Sequence, residues 1–237
     1  MTWANGRIAV FDTETTGTDP CEARIVTACV ALVGGGVPAQ VNTWIVDPGV
    51  EIPAEAAAIH GISTEKARAE GQRPCVALRE IVSQVSAAWV AGWPVVAFNA
   101  AYDFTVLDRE CRRHGVEFGV AGMIVDPLVI DRHVDQYRRG SRKLVDMCAH
   151  YGVRLDDAHN AEADAVAAGR VAWAICQRYP EIAGMSLAEL HSAQAQWHAA
   201  RQADFRAYLE RQGKPADDVS GEWPIRSMDV AAWATPH

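Results

Sequence analysis

The chain has 237 residues, 49% hydrophobic and 22% charged, so wholesale disorder is excluded and a sizeable core is possible. Twenty-two basic against 30 acidic side chains leave a net charge of −8, which excludes a protein that holds polyanions by bulk positive charge. At ~100–200 residues per domain, the length fits one domain plus an extension, or two small ones.

Arg7 to Phe11 reads as a short buried strand ending on a polar turn, Asp12-Thr13-Glu14-Thr15-Thr16-Gly17. Ile25 to Val33 and Val41 to Val46 are β-like runs, and Gly34 to Pro38 supplies turn chemistry between them. A hairpin beside the first strand is therefore expected. After Pro53 a group of alanines suggests a short helix ended by Gly61. From Pro74 to Val90 the residues Leu78, Ile81, Val82, Val85 and Trp89 fall at helical spacing, and Gly92 and Pro94 stop that helix. Pro94 to Phe98 reads as a strand, Ala100 to His114 as a helix, and Met123 to Val125 as a last short strand. Helices follow at Pro127 to Val134, Arg142 to Tyr151 and Ala161 to Gln177. The order β-β-β-α-β-α-β-α predicts an α/β fold with a mixed sheet, because the hairpin must be antiparallel.

Past Tyr179-Pro180 the character changes. Ser186 with Glu189 three residues on is a capping box, and Leu187, Leu190, Trp197, Phe205, Tyr208 and Leu209 predict a long amphipathic helix. Residues 1–180 are expected to form one domain and residues 181–237 a helix and tail that docks on it, dimerises or recruits another protein. Trp223 and Trp233 in the tail are candidates for docking or partner binding. The uncharged stretches Ile25 to Val46 and Ile81 to Tyr102 are interrupted by glycine and proline, so no membrane span is expected. No apolar leader precedes Asp12. The six cysteines form no C-x-x-C or Cys/His cluster, which fits a reduced cytoplasmic protein and no zinc site.

Three groups of carboxylates carry the chemistry. Asp12 and Glu14, two apart at a strand end, emerge on the same face and repel unless something positive lies between them. A divalent cation is the economical answer, and hard oxygen ligands suit Mg²⁺ or Mn²⁺. Asp103 follows Asn99, expected to cap the helix, and sits in an apolar stretch with Tyr102, Phe104 and Val106, where an acid needs a partner. Asp164 opens a late helix, and His159, five residues earlier, sits where a base of pKa ~6.5 could meet a reacting water.

Together, Phe11-Asp12-Thr13-Glu14-Thr15-Thr16-Gly17, Ile59-His60-Gly61-Ile62-Ser63, the Asn99-to-Leu107 segment and His159-x4-Asp164 resemble the DEDDh exonucleases, the group of the DNA polymerase III epsilon proofreading subunit. The resemblance spans roughly residues 5–178. It implies a ribonuclease H-like fold with a mixed five-stranded sheet, and stepwise release of nucleoside monophosphates from a 3′ end with two Mg²⁺ or Mn²⁺ ions. By the same resemblance Asp12 bridges both ions, Glu14 and Asp164 hold the first, Asp103 holds the second, and His159 is the general base. Thr13, Thr15, His60, Ile62, Phe98, Asn99, Phe104 and Leu107 are expected around the terminal nucleotide. Many members carry His where Phe98 stands, which implies altered substrate contact with catalysis retained.

Arg132, His133, Arg138, Arg139, Arg142 and Lys143 fall in one twelve-residue run, and Arg142 and Lys143 are expected to contact phosphate. The expected partners are single-stranded DNA or frayed 3′ ends, with RNA ends the nearest alternative because the motifs do not fix the sugar. A binding module with a dead site is disfavoured, since all five site residues are present.

Overall fold

The computed structural model describes residues 3–155 and 160–227. Its centre is a five-stranded sheet in the order β3-β2-β1-β4-β5. Strands β1 (Arg7–Thr15), β2 (Ile25–Gly34) and β3 (Gln40–Ile45) form an antiparallel meander. On the other side of β1, the two-residue strands β4 (Val95–Val96) and β5 (Ile124–Val125) run parallel to it. Mixed character follows directly: a short turn can only return a strand antiparallel, whereas β4 and β5 are reached through helices.

Helices cover both faces, so Ile8-Ala9-Val10-Phe11 of β1 is an unbroken buried run rather than an alternating one. On one face lie α3 (Pro74–Val90) and α4 (Ala100–Arg113), packed through Leu78, Ile81, Val85, Phe104 and Leu107. Phe104 meets Phe11 edge-on at 5.5 Å between ring centroids and forms a near-parallel aromatic triangle with Trp89 and Phe118. The other face carries α5 (Pro127–Val134), α6 (Leu144–Tyr151) and the alanine-rich α7 (Ala161–Arg178). Small residues let α7 approach β1 closely. A Cβ at Gly169 would stand 2.7 Å from Val10 Cγ1, so any side chain there would push α7 off the sheet.

Three helices are short: α1 (Ala54–His60), α2 (Thr64–Glu70) and α8 (Pro180–Gly184). Of these, α2 and α8 have no counterpart in the sequence reading. In α2 only Thr64 and Ala67 are buried, so it has no apolar period, and Ser63 caps it by accepting from Lys66 N–H. The last helix, α9 (Leu187–Arg211), starts on the expected capping box. Its buried stripe is Leu190, Gln194 and His198; of the expected apolar set, Leu190 is buried and Leu187 and Trp197 pack against the core, but Phe205 and Tyr208 are exposed.

The polar stripe of α9 has a purpose. Strand β5 is a sheet edge, and side chains of α9 take the place of a sixth strand. Ile124 N–H donates to His191 Nδ1 at 3.0 Å, Gln194 Nε2 donates to Ile124 O at 3.0 Å, and Asp126 N–H donates to Gln194 Oε1 at 2.6 Å. The tail folds back over the same corner. Trp223 is buried and donates from Nε1 to Asp126 Oδ2 at 3.4 Å, while Arg226 N–H donates to Thr105 Oγ1 at 3.0 Å. Trp233 lies outside the described residues. No described helix is long and apolar enough to cross a membrane.

Candidate active site

Strands β1, β4 and β5 are parallel, so the segments leaving β4 and β5 emerge at the edge where β1 presents Asp12 and Glu14. Crevices beyond the carboxyl ends of parallel strands are the usual ligand sites of such sheets. Helix α4 leaves this edge after Asn99 and brings Asp103 in its first turn. Helix α7 also opens here, with Asp164 in its first turn, and Asn160 Oδ1 caps it by accepting from Glu162 N–H at 3.0 Å.

Ligand oxygens of Asp12, Glu14 and Asp164 all lie within 4.8 Å of one another. Asp103, almost fully buried, accepts from Thr13 N–H at 3.0 Å and from the Thr13 hydroxyl at 2.7 Å. The four acids feel each other. Burial, then the charges of Asp103, Asp164 and Glu14, push the Asp12 carboxyl well above the usual range. Burial and Asp164 raise Glu14 to about 7. Asp103 also rises to about 7 through burial, although its bonds from Thr13 pull it down. Carboxylates gathered this way retain protons near neutrality unless a cation replaces them. An all-oxygen donor set of this kind fits Mg²⁺ or Mn²⁺, not a thiolate- or imidazole-seeking metal. His159 lies outside the described residues.

Two clefts border the cluster. One of about 490 Å³ is lined by Thr13, Glu14, Thr15, His60 and Tyr102; the other, of about 640 Å³, by His60, Ile62, Asn160 and Glu162. Both fall in the ~300–1,000 Å³ range of small-molecule sites. His60 lies between them, its Nδ1 accepting from Ile62 N–H at 3.2 Å, and burial lowers its pKa. Thr15 Oγ1 and the Tyr102 hydroxyl meet at 2.5 Å over the Gly17 carbonyl, which ties α4 to the β1 turn. Tyr102 was missed as a lining residue; its signal was its place one residue before Asp103.

Several expected contacts go elsewhere. Phe104 and Leu107 are fully buried in the core under β1, because α4 turns that face to the sheet, so neither lines a nucleotide pocket. Asn99 does not cap α4 through its side chain. It adopts a left-handed backbone (φ 63°), and Asp126, reaching across from the end of β5, accepts from Asn99 N–H at 3.1 Å and Ala100 N–H at 2.8 Å. Phe98 is half-buried against the α7-side core. The basic run is divided. Arg138 and Arg142 both bind the fully buried Asp131 carboxylate, and Arg142 also donates to the carbonyls of Asp131 and Asp135. Arg142 is therefore withdrawn from phosphate contact: a buried carboxylate demands the nearest guanidinium. Lys143 stands exposed before α6 and donates its N–H to Ser141 Oγ at 3.2 Å.

Comparison with known families decides the lineage: the RNase_T exonuclease family matches residues 9–172. The chain belongs to this exonuclease family. The uncharacterized exonuclease CP81 of Escherichia phage 186 is 30% identical over 68% of this chain and 84% of its own length. The DNA polymerase III PolC-type protein of Lacticaseibacillus paracasei is 27% identical over 77% of this chain. This chain spans only 12% of that relative's length. Among solved structures, Escherichia coli exonuclease I in complex with a dA16 oligonucleotide superposes with a TM-score of 0.66, covering 85% of this chain and 45% of that one at 19% identity. Exonuclease X in complex with duplex DNA gives 0.58 over 79% of this chain and 99% of that one, at 16% identity. The exonuclease-family match ends at residue 172, so α8, α9 and the tail lie beyond it.

Proposed function

We propose that this exonuclease removes nucleoside monophosphates in the 3′–5′ direction from single-stranded or frayed DNA ends, using two divalent metal ions. The observation that carries the reading is the meeting of Asp12, Glu14 and Asp164 within 4.8 Å, with Asp103 close enough to disturb Asp12. Asp12 would bridge the ions, with Glu14 and Asp164 holding the first and Asp103 the second. When bound, such ions polarise the scissile phosphate and lower the pKa of water.

The protein's own groups do the remainder. Thr13 fixes the Asp103 carboxylate with two hydrogen bonds, so its free oxygen faces one direction. His159 is assigned the proton released by the attacking water. Thr15, His60 and Ile62 border the clefts where the terminal nucleotide is held. DNA is favoured because the PolC-type relative is a DNA polymerase and the superposed exonuclease I structure was solved with a DNA oligonucleotide.

The test is digestion of matched 5′-labelled DNA and RNA single strands with Mg²⁺. DNA should be shortened stepwise from the 3′ end, and chelation or Asp12→Ala should lower the rate by roughly a thousandfold or more. Faster digestion of RNA would reverse the substrate assignment, and a fully active Asp12→Ala protein would remove the nuclease reading altogether.

A further inference from the structure

Away from the carboxylates, helices α5 and α9 flank a partly open pocket of about 130 Å³, with His133, Arg201 and Asp204 exposed at its rim. Arg132 and His133 enter it from α5, and Trp197, His198, Arg201 and Asp204 from α9. The His133 ring lies flat on the Trp197 indole, 3.8 Å between centroids and 8° from parallel, which locks the wall between the helices. Arg132 is half-buried, yet unlike Arg138 and Arg142 of the same basic run it forms no hydrogen bond or ion pair among the described residues. Arg201 has none there either, although Asp204 lines the same cavity. Burial and the nearby charge of Arg201 both lower the Arg132 pKa, with Asp126 and Asp131 acting against them from a distance. Two guanidiniums brought together from separate helices without a bonded counter-ion form an anion site.

Size and charge narrow the ligand. A volume of about 130 Å³ is well below the ~300–1,000 Å³ that encloses a whole small molecule, so a group enters, not a nucleotide. Two arginines against Asp204 leave one positive charge, because burial pushes both His133 and His198 toward the neutral form. One positive charge matches the single negative charge of a phosphodiester better than the near-dianion of a phosphate monoester. Position agrees as well. Arg132 lies six residues along α5 from Asp126, about 9 Å at helical rise, and Asp126 holds the turn that presents Asp103.

We infer that Arg132 and Arg201 form an accessory site for one internal phosphodiester of the bound nucleic-acid strand, upstream of the nucleotide being removed. The inference rests on the exonuclease reading. Its ligand reaches the pocket only as part of a strand, so the site acts on long substrates and leaves a single-nucleotide substrate untouched. Charge-assisted contacts of this kind make binding salt-dependent.

The experiment compares wild type with Arg132→Gln, Arg201→Gln and the charge-retaining Arg132→Lys, each checked for unchanged thermal melting. Two substrates are used: a dT20 strand, and thymidine 5′-monophosphate 4-nitrophenyl ester, which occupies only the catalytic cleft. Each Gln variant should raise KM for dT20 about three- to tenfold and reduce the slope of log affinity against log salt by about 0.7. Hydrolysis of the nitrophenyl ester should stay the same, and Arg132→Lys should keep most of the salt slope. Unchanged dT20 KM and slope would overturn the site. So would an equal loss on both substrates, which would make the arginines supports of the catalytic cleft. Weaker inhibition by inorganic phosphate with dT20 kinetics unaltered would reassign the pocket to a free anion. If wild type hydrolyses neither substrate, the exonuclease reading fails, and dT20 binding by fluorescence anisotropy still reports on the pocket.

Discussion

Two groups of carboxylates, one fully buried and one mostly half-buried, are handled in opposite ways. Asp126 and Asp131 are surrounded by donors. The first accepts from the backbone N–H groups of Asn99, Ala100, Leu128 and Val129, and the second binds Arg138, Arg142 and the Tyr151 hydroxyl. Asp12, Glu14, Asp103 and Asp164 are gathered against one another, and burial first, then the neighbouring carboxylates, raise Asp12 and Glu14. The comparison separates acids satisfied by donors from acids gathered against one another.

Substitution in the two groups should therefore act with opposite sign. Asp131→Asn should destabilise the protein by about 3–5 kcal/mol, because Arg138 and Arg142 lose a buried counter-charge. Asp12→Asn should instead raise the melting temperature of the metal-free protein, by about 1–2 kcal/mol of stability, while eliminating nuclease activity. Melting curves recorded in a chelator compare both; a stabilised Asp131→Asn would erase the distinction.

The pH dependence sharpens it. Glu14 rises from 4.5 to about 7 in the folded protein, so its protonated form favours the fold. That contribution is complete below pH 4.5 and is lost as the pH rises through about 7. Metal-free Glu14→Gln should therefore gain on wild type across this interval, by about 1–2 kcal/mol after solvent screening. With saturating Mg²⁺ the gap should reverse at pH 8, since the variant loses a ligand. A gap independent of pH would mean that folding leaves the Glu14 pKa unshifted. The sheet edge offers a separate test. Gln194→Ala leaves Asp126 N–H and Ile124 O without their partner and should cost about 1–3 kcal/mol, with the loss of protection at Asp126 visible by hydrogen exchange.

Much of this arrangement was legible in the residues. Helices α3 and α5 begin and end where their Pro and periodic apolar residues said, and the Gly34-to-Pro38 turn joins β2 and β3 as the expected hairpin. The carboxylates were legible because two acids on one strand face are costly without a reason. What stayed hidden depends on contacts distant in sequence. Nothing near Asn99 announces that Asp126 supplies the cap to α4, and nothing near Arg142 announces Asp131. The Asn99-to-Leu107 segment does not say which side of α4 faces the sheet, so Phe104 and Leu107, expected at the nucleotide, are in the core instead. In α9 an apolar rule failed because the buried neighbours of Gln194 are backbone amides and carbonyls, which select polar side chains.

That substitution of side chains for a missing strand also orders events during synthesis. The edge of β5 and the Asp126 bracket cannot close until residues 191–223 have left the ribosome, some fifty positions after the exonuclease-family match has ended. A nascent chain halted before that point exposes a short open ladder to other chains, the situation that promotes edge-to-edge association. The helix thus serves as a late-arriving safety catch on the nuclease it follows.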